Sequence, residues 1–380
     1  MKRRTNGEGS VRYNSAKKLY EARFQVRLDD GALKRYSFYG KTSKEALDKM
    51  REGQKRARQD RPVVDAKLLL GDWLDEWSTN ALELSERKQT TKDLYRNLMK
   101  HISGHPIAKK ELSKILPSHL DKFFNDLRAK ELSPSTARNV YAILSAVFKD
   151  AIRERKLPES PLTEVTRPKR AKTEARYLTA SDVKSILDNA GTLRYRTALQ
   201  LIAVTGLRRG EALALRWEDV DLDARLLHVR ATLARTNLGL NVTPPKTESA
   251  LRHIALTDSL VEILKFHRIA QDQEKALGGN KYIDKGFVFA TETGEPVDPR
   301  NLLRALVIAS GKAGISGVGL HTLRHSAATT MLEAGVPIHV VSRILGHSGI
   351  NITVDIYGHV SDDASRSAIE ALGRSITRND

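Results

Sequence analysis

The spacing of apolar positions divides the chain into three blocks with different periods. Between residues 9 and 50 the period is two. Over 19–27, Tyr20, Ala22, Phe24 and Val26 alternate with Glu21, Arg23, Gln25 and Arg27, which predicts a half-buried strand with one charged face. Runs at 10–13 and 34–39 predict two further strands, with Asp29, Asp30 and Gly31 supplying a hairpin turn. Thr42 or Ser43 then caps a helix. The expectation for 1–61 is a small three-stranded sheet plus one helix.

From 65 to 165 the period lengthens to that of helices. Apolar residues recur at helical spacing in 68–77 and 91–98, a further helix is expected over 118–130, and Ser133 with Pro134 opens one running to 155. The stretch 166–175 is rich in Pro, Lys and Arg and poor in apolar residues, as linkers are. Beyond it, 176–380 reads as a mixed, mainly helical domain with a short antiparallel sheet. Its strands are expected at 225–230, 240–243 and 252–256, with Lys246 in the turn between the last two. The fold class is therefore multidomain α+β: sheet plus helix, then a helical bundle, then the mixed domain.

Composition narrows the function. With 380 residues, two or three domains are expected. There is no cysteine, so disulfides and thiolate metal sites are excluded. No stretch is apolar for the length of a membrane span, and the basic start Met1–Asn6 leads into no apolar run. A cytoplasmic protein without membrane contact is expected, associated with the nucleoid in a bacterial host. The net charge of +18 points to a polyanionic partner, and 1–61 alone holds 18 Lys and Arg against 8 Asp and Glu. That distribution predicts salt-dependent binding of phosphates, with Arg12, Arg23, Arg27 and Arg35 as contacts from the sheet and Lys88, Lys92, Arg96 and Arg138 from the helical block.

The candidate chemistry lies in the last block. Arg208 follows a Thr-Gly turn at the start of a helix, where main-chain N–H groups and the helix dipole favour phosphate, and Glu211 is placed to brace it. His321 and Arg324 are three apart at another helix start and share a face. His321 and His325 also have the i, i+4 spacing of a metal pair, but no Glu occupies the second position, so the zinc-hydrolase signature fails. His347 follows a Leu-Gly turn, and Tyr357 comes ten residues later. Two arginines, a lysine and two histidines can hold a phosphodiester, and a tyrosine hydroxyl can attack it. The set predicts covalent DNA strand breakage with no metal and no other cofactor.

In order, spacing and context these residues resemble the tyrosine recombinase family of the phage integrase type. The match is Thr-Gly-Leu-Arg-x-Gly-Glu, a hairpin lysine, His-x-Leu-Arg-His, Leu-Gly-His and a tyrosine about ten residues on, with no departure at the catalytic positions. The blocks ahead of it are similar to the family's arm-binding domain (1–61) and core-binding domain (65–165). The resemblance implies that Tyr357 forms a 3′-phosphotyrosyl link while Arg208 and Arg324 clamp the non-bridging oxygens. Lys246 then protonates the leaving 5′-oxygen, and His321 and His347 hydrogen-bond the phosphate. It also implies arm and core sites on double-stranded DNA, a homotetramer in synapsis, a host DNA-bending protein and a directionality factor. Integration and excision of a phage or other mobile element is the function expected. Chromosome-dimer resolution, a non-catalytic DNA-binding regulator on the same scaffold and a type IB-like topoisomerase are its alternatives. The tail, with Ala364, Ala368, Ala371 and Leu372 on one helical stripe, is expected to dock on its own or a neighbouring protomer.

Overall fold

The computed structural model describes residues 10–15, 17–27, 33–58, 68–169, 177–245 and 248–347, with positions 349, 354 and 370. The hairpin turn expected at Asp29–Gly31, Lys246, Tyr357 and the tail stripe lie outside the described residues. The chain forms two compact units, 1–172 and 173–380.

The first unit opens with an antiparallel sheet of β1 (Ser10–Asn14), β2 (Leu19–Arg27) and β3 (Leu33–Gly40), in that order, followed by α1 (Ser43–Arg58). Thr42 Oγ1 accepts the N–H of Glu45, so Thr42 is the cap. The expected alternation holds on one face: Ala22 and Phe24 are buried against Ala46 and Met50 of α1. In the register Phe24 pairs with Tyr36 and Ala22 with Phe38, and Phe24 stacks on both rings. Gly53 lets α1 come close, because a Cβ there would stand 2.5 Å from Phe38.

The other sheet face departs from expectation. Glu21 is not a solvated charge but is 1% exposed. Arg12 and Arg23 bridge to it at 3.3 and 2.7 Å, and the Tyr39 hydroxyl donates to it at 2.9 Å. Strand alternation assigns a face but not a depth, and the long neighbouring side chains roof this carboxylate. Burial pushes its carboxyl pKa up, but hydrogen bonds from Arg23, Tyr39 and Ser37 outweigh that and hold it at about 2.

The helical part contains α2 (Leu70–Trp77), α3 (Gln89–Ser103), α4 (Pro117–Ala129) and α5 (Pro134–Arg153), and a π-helical turn, Ser78–Leu82, extends α2. The Ser133 hydroxyl caps α5 by accepting the N–H of Thr136. From α5, Ala137, Val140, Ile143, Leu144, Val147, Phe148 and Ala151 are buried, the i, i+3, i+4 stripe an amphipathic helix requires. Trp73 and Trp77 fill the centre and satisfy their indole N–H groups on Val147 O and Asp150 Oδ2. Pro168, at the start of the expected linker, is buried, and its carbonyl accepts from Arg138.

The second unit runs α6 (Ala180–Asp188), α7 (Leu193–Thr205), α8 (Arg209–Ala214), β4 (Val220–Asp221), β5 (Leu226–Val229), β6 (Thr232–Thr236), β7 (Gly239–Thr243), β8 (Arg252–Ala255), α9 (Asp258–Gly278), α10 (Pro299–Lys312), α11 (Leu320–Glu333) and α12 (Ile338–Leu345). Its core is built on α7, α9 and α10, with Leu199, Ile202, Leu264, Leu302 and Leu306 fully buried. The sheet is divided differently from expectation. Among the described residues β5 pairs with β4 and β8, whereas β6 pairs with β7. The strands flanking Lys246 therefore belong to different sheets, so β7 and β8 are not the two arms of one hairpin as expected; the hairpin tip is at Asn237 and Leu238. Pairing is a long-range choice that a local turn signal does not determine.

Candidate active site

Three glycines bring the separate motifs together. Gly206 ends α7 at φ +68°, the left-handed conformation that favours glycine, and a Cβ there would lie 2.6 Å from Leu345 at the end of α12. Gly210 lets α8 lie on β6, where a Cβ would meet Thr232 Oγ1 at 2.5 Å and Leu233 O at 2.6 Å. Gly346, at φ +64°, ends α12 with no room for a Cβ beside the Arg252 guanidinium. Helix α12 in turn packs on α11 through Ala328, Val341 and Leu345.

The last carbonyls of α12 are then met by three arginines. Arg252 Nε donates to Ile344 O at 2.6 Å, Arg324 Nη2 to Leu345 O at 2.8 Å and Arg208 Nη2 to Gly346 O at 3.0 Å. Arg324 also donates to Gly206 O at 2.6 Å, at the end of α7. A helix C-terminus carries partial negative charge on its unpaired carbonyls, so guanidinium groups are attracted there. Arg324 is only 5% exposed. Its charge cannot be lost by deprotonation, so these acceptors are what allow its burial.

Glu211 is the second anchor. Its carboxylate accepts the Arg208 main-chain N–H at 2.9 Å and Arg208 Nη1 at 2.7 Å, as expected for a brace. It also accepts Arg252 Nη2 at 2.9 Å. Burial raises its pKa, but the charge of Arg252 and hydrogen bonds from Arg252 and Arg208 reverse this and hold the carboxyl below its ordinary value. The helix-start N–H expected to take phosphate is thus occupied by Glu211. The remaining phosphate-binding capacity lies in the Arg208 side chain, which is 38% exposed.

Both histidines stand in this positive field. His347 is partly buried, and desolvation, followed by the charges of Arg324 and Arg208, brings its pKa down to about 4. His321, exposed on the first turn of α11, is shifted downward by partial desolvation and by Arg324, Arg209 and Arg208. Both shifts favour the neutral, hydrogen-bonding form of the ring.

The structure therefore gathers Arg208, Glu211, Arg324, His321 and His347. Sequence reasoning missed Arg252. The available signal was its register: it lies two residues before buried Ile254 on β8, on the inward face. Of the basic residues expected to meet phosphate from the first unit, Arg12, Arg23, Lys92, Arg96 and Arg138 are held by neighbouring groups. Arg12 and Arg23 pair with Glu21, Lys92 donates to Glu83 O, Arg96 bridges Glu83 and Asp93, and Arg138 holds Pro168. Arg35 is exposed on β3, Arg27 ends β2, and Lys88 precedes α3.

Comparison with known proteins follows the same division. The chain matches the phage integrase family over 176–364 and the phage integrase SAM-like domain over 72–168. It is 29% identical over 377 residues to a protein named tyrosine recombinase XerC-like from Caldanaerobacter subterraneus, covering 94% of this chain and 96% of that one. Among solved structures it is similar to the Tn1549 transposon integrase in complex with a circular intermediate DNA, with TM-score 0.66, 22% identity, and 80% and 99% of the two chains covered. It is also similar to a lambda integrase tetramer bound to a Holliday junction, with TM-score 0.57, 21% identity, and 93% and 96% covered.

Proposed function

The chain belongs to the phage integrase family and is a tyrosine-type DNA recombinase, and from that premise we propose a division of labour among its residues. Tyr357 Oη attacks the scissile phosphorus, the bond from phosphorus to the 5′-oxygen breaks, and a 3′-phosphotyrosyl link forms. His321 takes the tyrosine proton, and Lys246 gives one to the departing 5′-oxygen. Arg208 and Arg324 stabilise the charge that develops on the non-bridging oxygens, and His347 hydrogen-bonds one of them. The link conserves the phosphodiester bond energy, so a 5′-hydroxyl from a partner strand reverses the step on a new duplex.

The observation that carries this reading is the convergence of Arg208 and Arg324 on Gly346 O and Leu345 O, one residue and two from His347. Two guanidinium groups with preset orientation, flanked by neutral imidazoles, fit a phosphodiester better than they fit a carboxylate substrate or a regulator's groove contact. The work of the intact enzyme is integration and excision of a phage or other mobile element. In our reading 1–61 binds arm sites, 65–165 binds core sites, and four protomers act in synapsis. A host DNA-bending protein and a directionality factor set the outcome. The test is a nicked duplex carrying the junction sequence of the element. Wild type is expected to give a covalent protein–DNA band that resists denaturant, and Tyr357→Phe none. A band that survives in the variant excludes Tyr357 as the nucleophile.

A further inference from the structure

We propose that Arg252 is a positioning residue for strand cleavage: through Glu211 it fixes the guanidinium of Arg208, and through Ile344 O it fixes the turn that carries His347. The inference rests on the recombinase reading and adds to it a residue in none of the catalytic motifs. Four observations support it. The Arg252 side chain is 5% exposed, so it acts through other residues rather than on DNA. Its donors reach three separate segments: Ala250 O at 3.1 Å, Ile344 O at 2.6 Å and Glu211 Oε2 at 2.9 Å. Glu211 is 4% exposed and is shared between Arg252 and Arg208, so removing one partner releases a carboxylate on which the other depends. Finally, Ile344, Leu345 and Gly346 offer consecutive carbonyls to Arg252, Arg324 and Arg208. A shift of one contact therefore moves the acceptors of the other two.

The planar fork of arginine suits the arrangement, since Nε, Nη1 and Nη2 each meet a different acceptor in one fixed plane, which a compact ammonium reproduces only in part. Gly346 shows how close the fit is, because a Cβ there would stand 2.8 Å from Arg252 Nη1. Small displacements of a group that holds the reacting phosphate are costly, with about 1 Å worth on the order of a hundredfold in rate.

The test uses the full chain with Arg252→Gln, Arg252→Lys, Glu211→Gln and the double variant Glu211→Gln/Arg252→Gln. Core-site affinity, thermal melting and the single-turnover rate of covalent adduct formation at saturating protein are measured together. For Arg252→Gln we expect affinity within about threefold of wild type but a rate lower by about tenfold or more, a loss in the chemical step alone. Arg252→Lys is expected to recover part of that rate. The double variant should be no more than about threefold slower than Glu211→Gln, because the two residues act on Arg208 in series. A lower melting temperature is expected whatever the role of Arg252, because a buried ion pair is broken. A merely structural role would lower affinity together with the rate, and the two losses in rate would multiply. Either result, or Arg252→Gln cleaving within about twofold of wild type, overturns the proposal. If Arg252→Gln does not fold, Arg252→Lys decides, and wild-type rates there overturn it. An absence of adduct from wild type removes the recombinase reading, and this inference with it.

Discussion

At the scale of single residues, the site is organised by acceptors as much as by charges. Glu211 is a buried carboxylate between two arginines. Its replacement by Gln leaves two guanidinium groups facing a neutral amide, and such removals cost about 3–5 kcal/mol. Denaturant unfolding of Glu211→Gln should show a loss of that order, together with slower adduct formation. His347 gives a pH signature. Its pKa falls from the ordinary value of 6.5 to about 4 in the folded chain, so the unfolded state binds the proton first. Stability is therefore fully present above pH 6.5 and is lost as pH falls towards 4. Unfolding across that window should be less pH-dependent in His347→Asn than in wild type, and equal slopes would show that His347 titrates normally. The sequence revealed Arg208, Glu211, His321, Arg324 and His347 because each sits in a motif of fixed local spacing. It did not reveal Arg252, whose partners lie 41 and 92 residues away. Nor did it reveal the burial of Glu21, since period-two patterning cannot say which polar residue its neighbours cover.

At the scale of elements, what was legible followed local signals. Ser133 and Pro134 open α5, Thr42 caps α1, and Leu345-Gly346 ends α12, each through interactions within a few residues. Misreadings arose where partners are distant: β7 and β8 looked like the arms of one hairpin around Lys246, yet they pair with β6 and β5. The most exacting contact between elements is α8 on β6. Gly210→Ala would place a methyl group 2.5 Å from Thr232 Oγ1 and 2.6 Å from main-chain Leu233 O, so α8 must move. Overpacking of this kind costs about 1–3 kcal/mol. Because α8 begins beside Arg208, we expect the rate of adduct formation to fall further than the loss of stability alone requires. A variant that melts lower but cleaves at the wild-type rate would show that Arg208 is positioned independently of α8.

At the scale of the whole molecule, charge is spread unevenly, with 18 Lys and Arg in the first 61 residues. Each phosphate contact adds about 0.9 to the slope of log affinity against log salt. If Arg12, Arg23 and Arg35 meet phosphates, replacing all three with Gln in the full chain should lower the slope for arm-site DNA by about 2–3. An unchanged slope would move arm recognition off this sheet. No helix among the described residues is long and apolar enough to cross a membrane. We propose that this DNA recombinase of the phage integrase family breaks strands by covalent attachment to Tyr357. The most direct measurement is tandem mass spectrometry of the peptide trapped on a nicked core-site duplex. We expect a nucleotide 3′-phosphate carried on Tyr357; the same modification on any other residue, or a trapped complex with no covalent link, would contradict covalent attachment to this tyrosine.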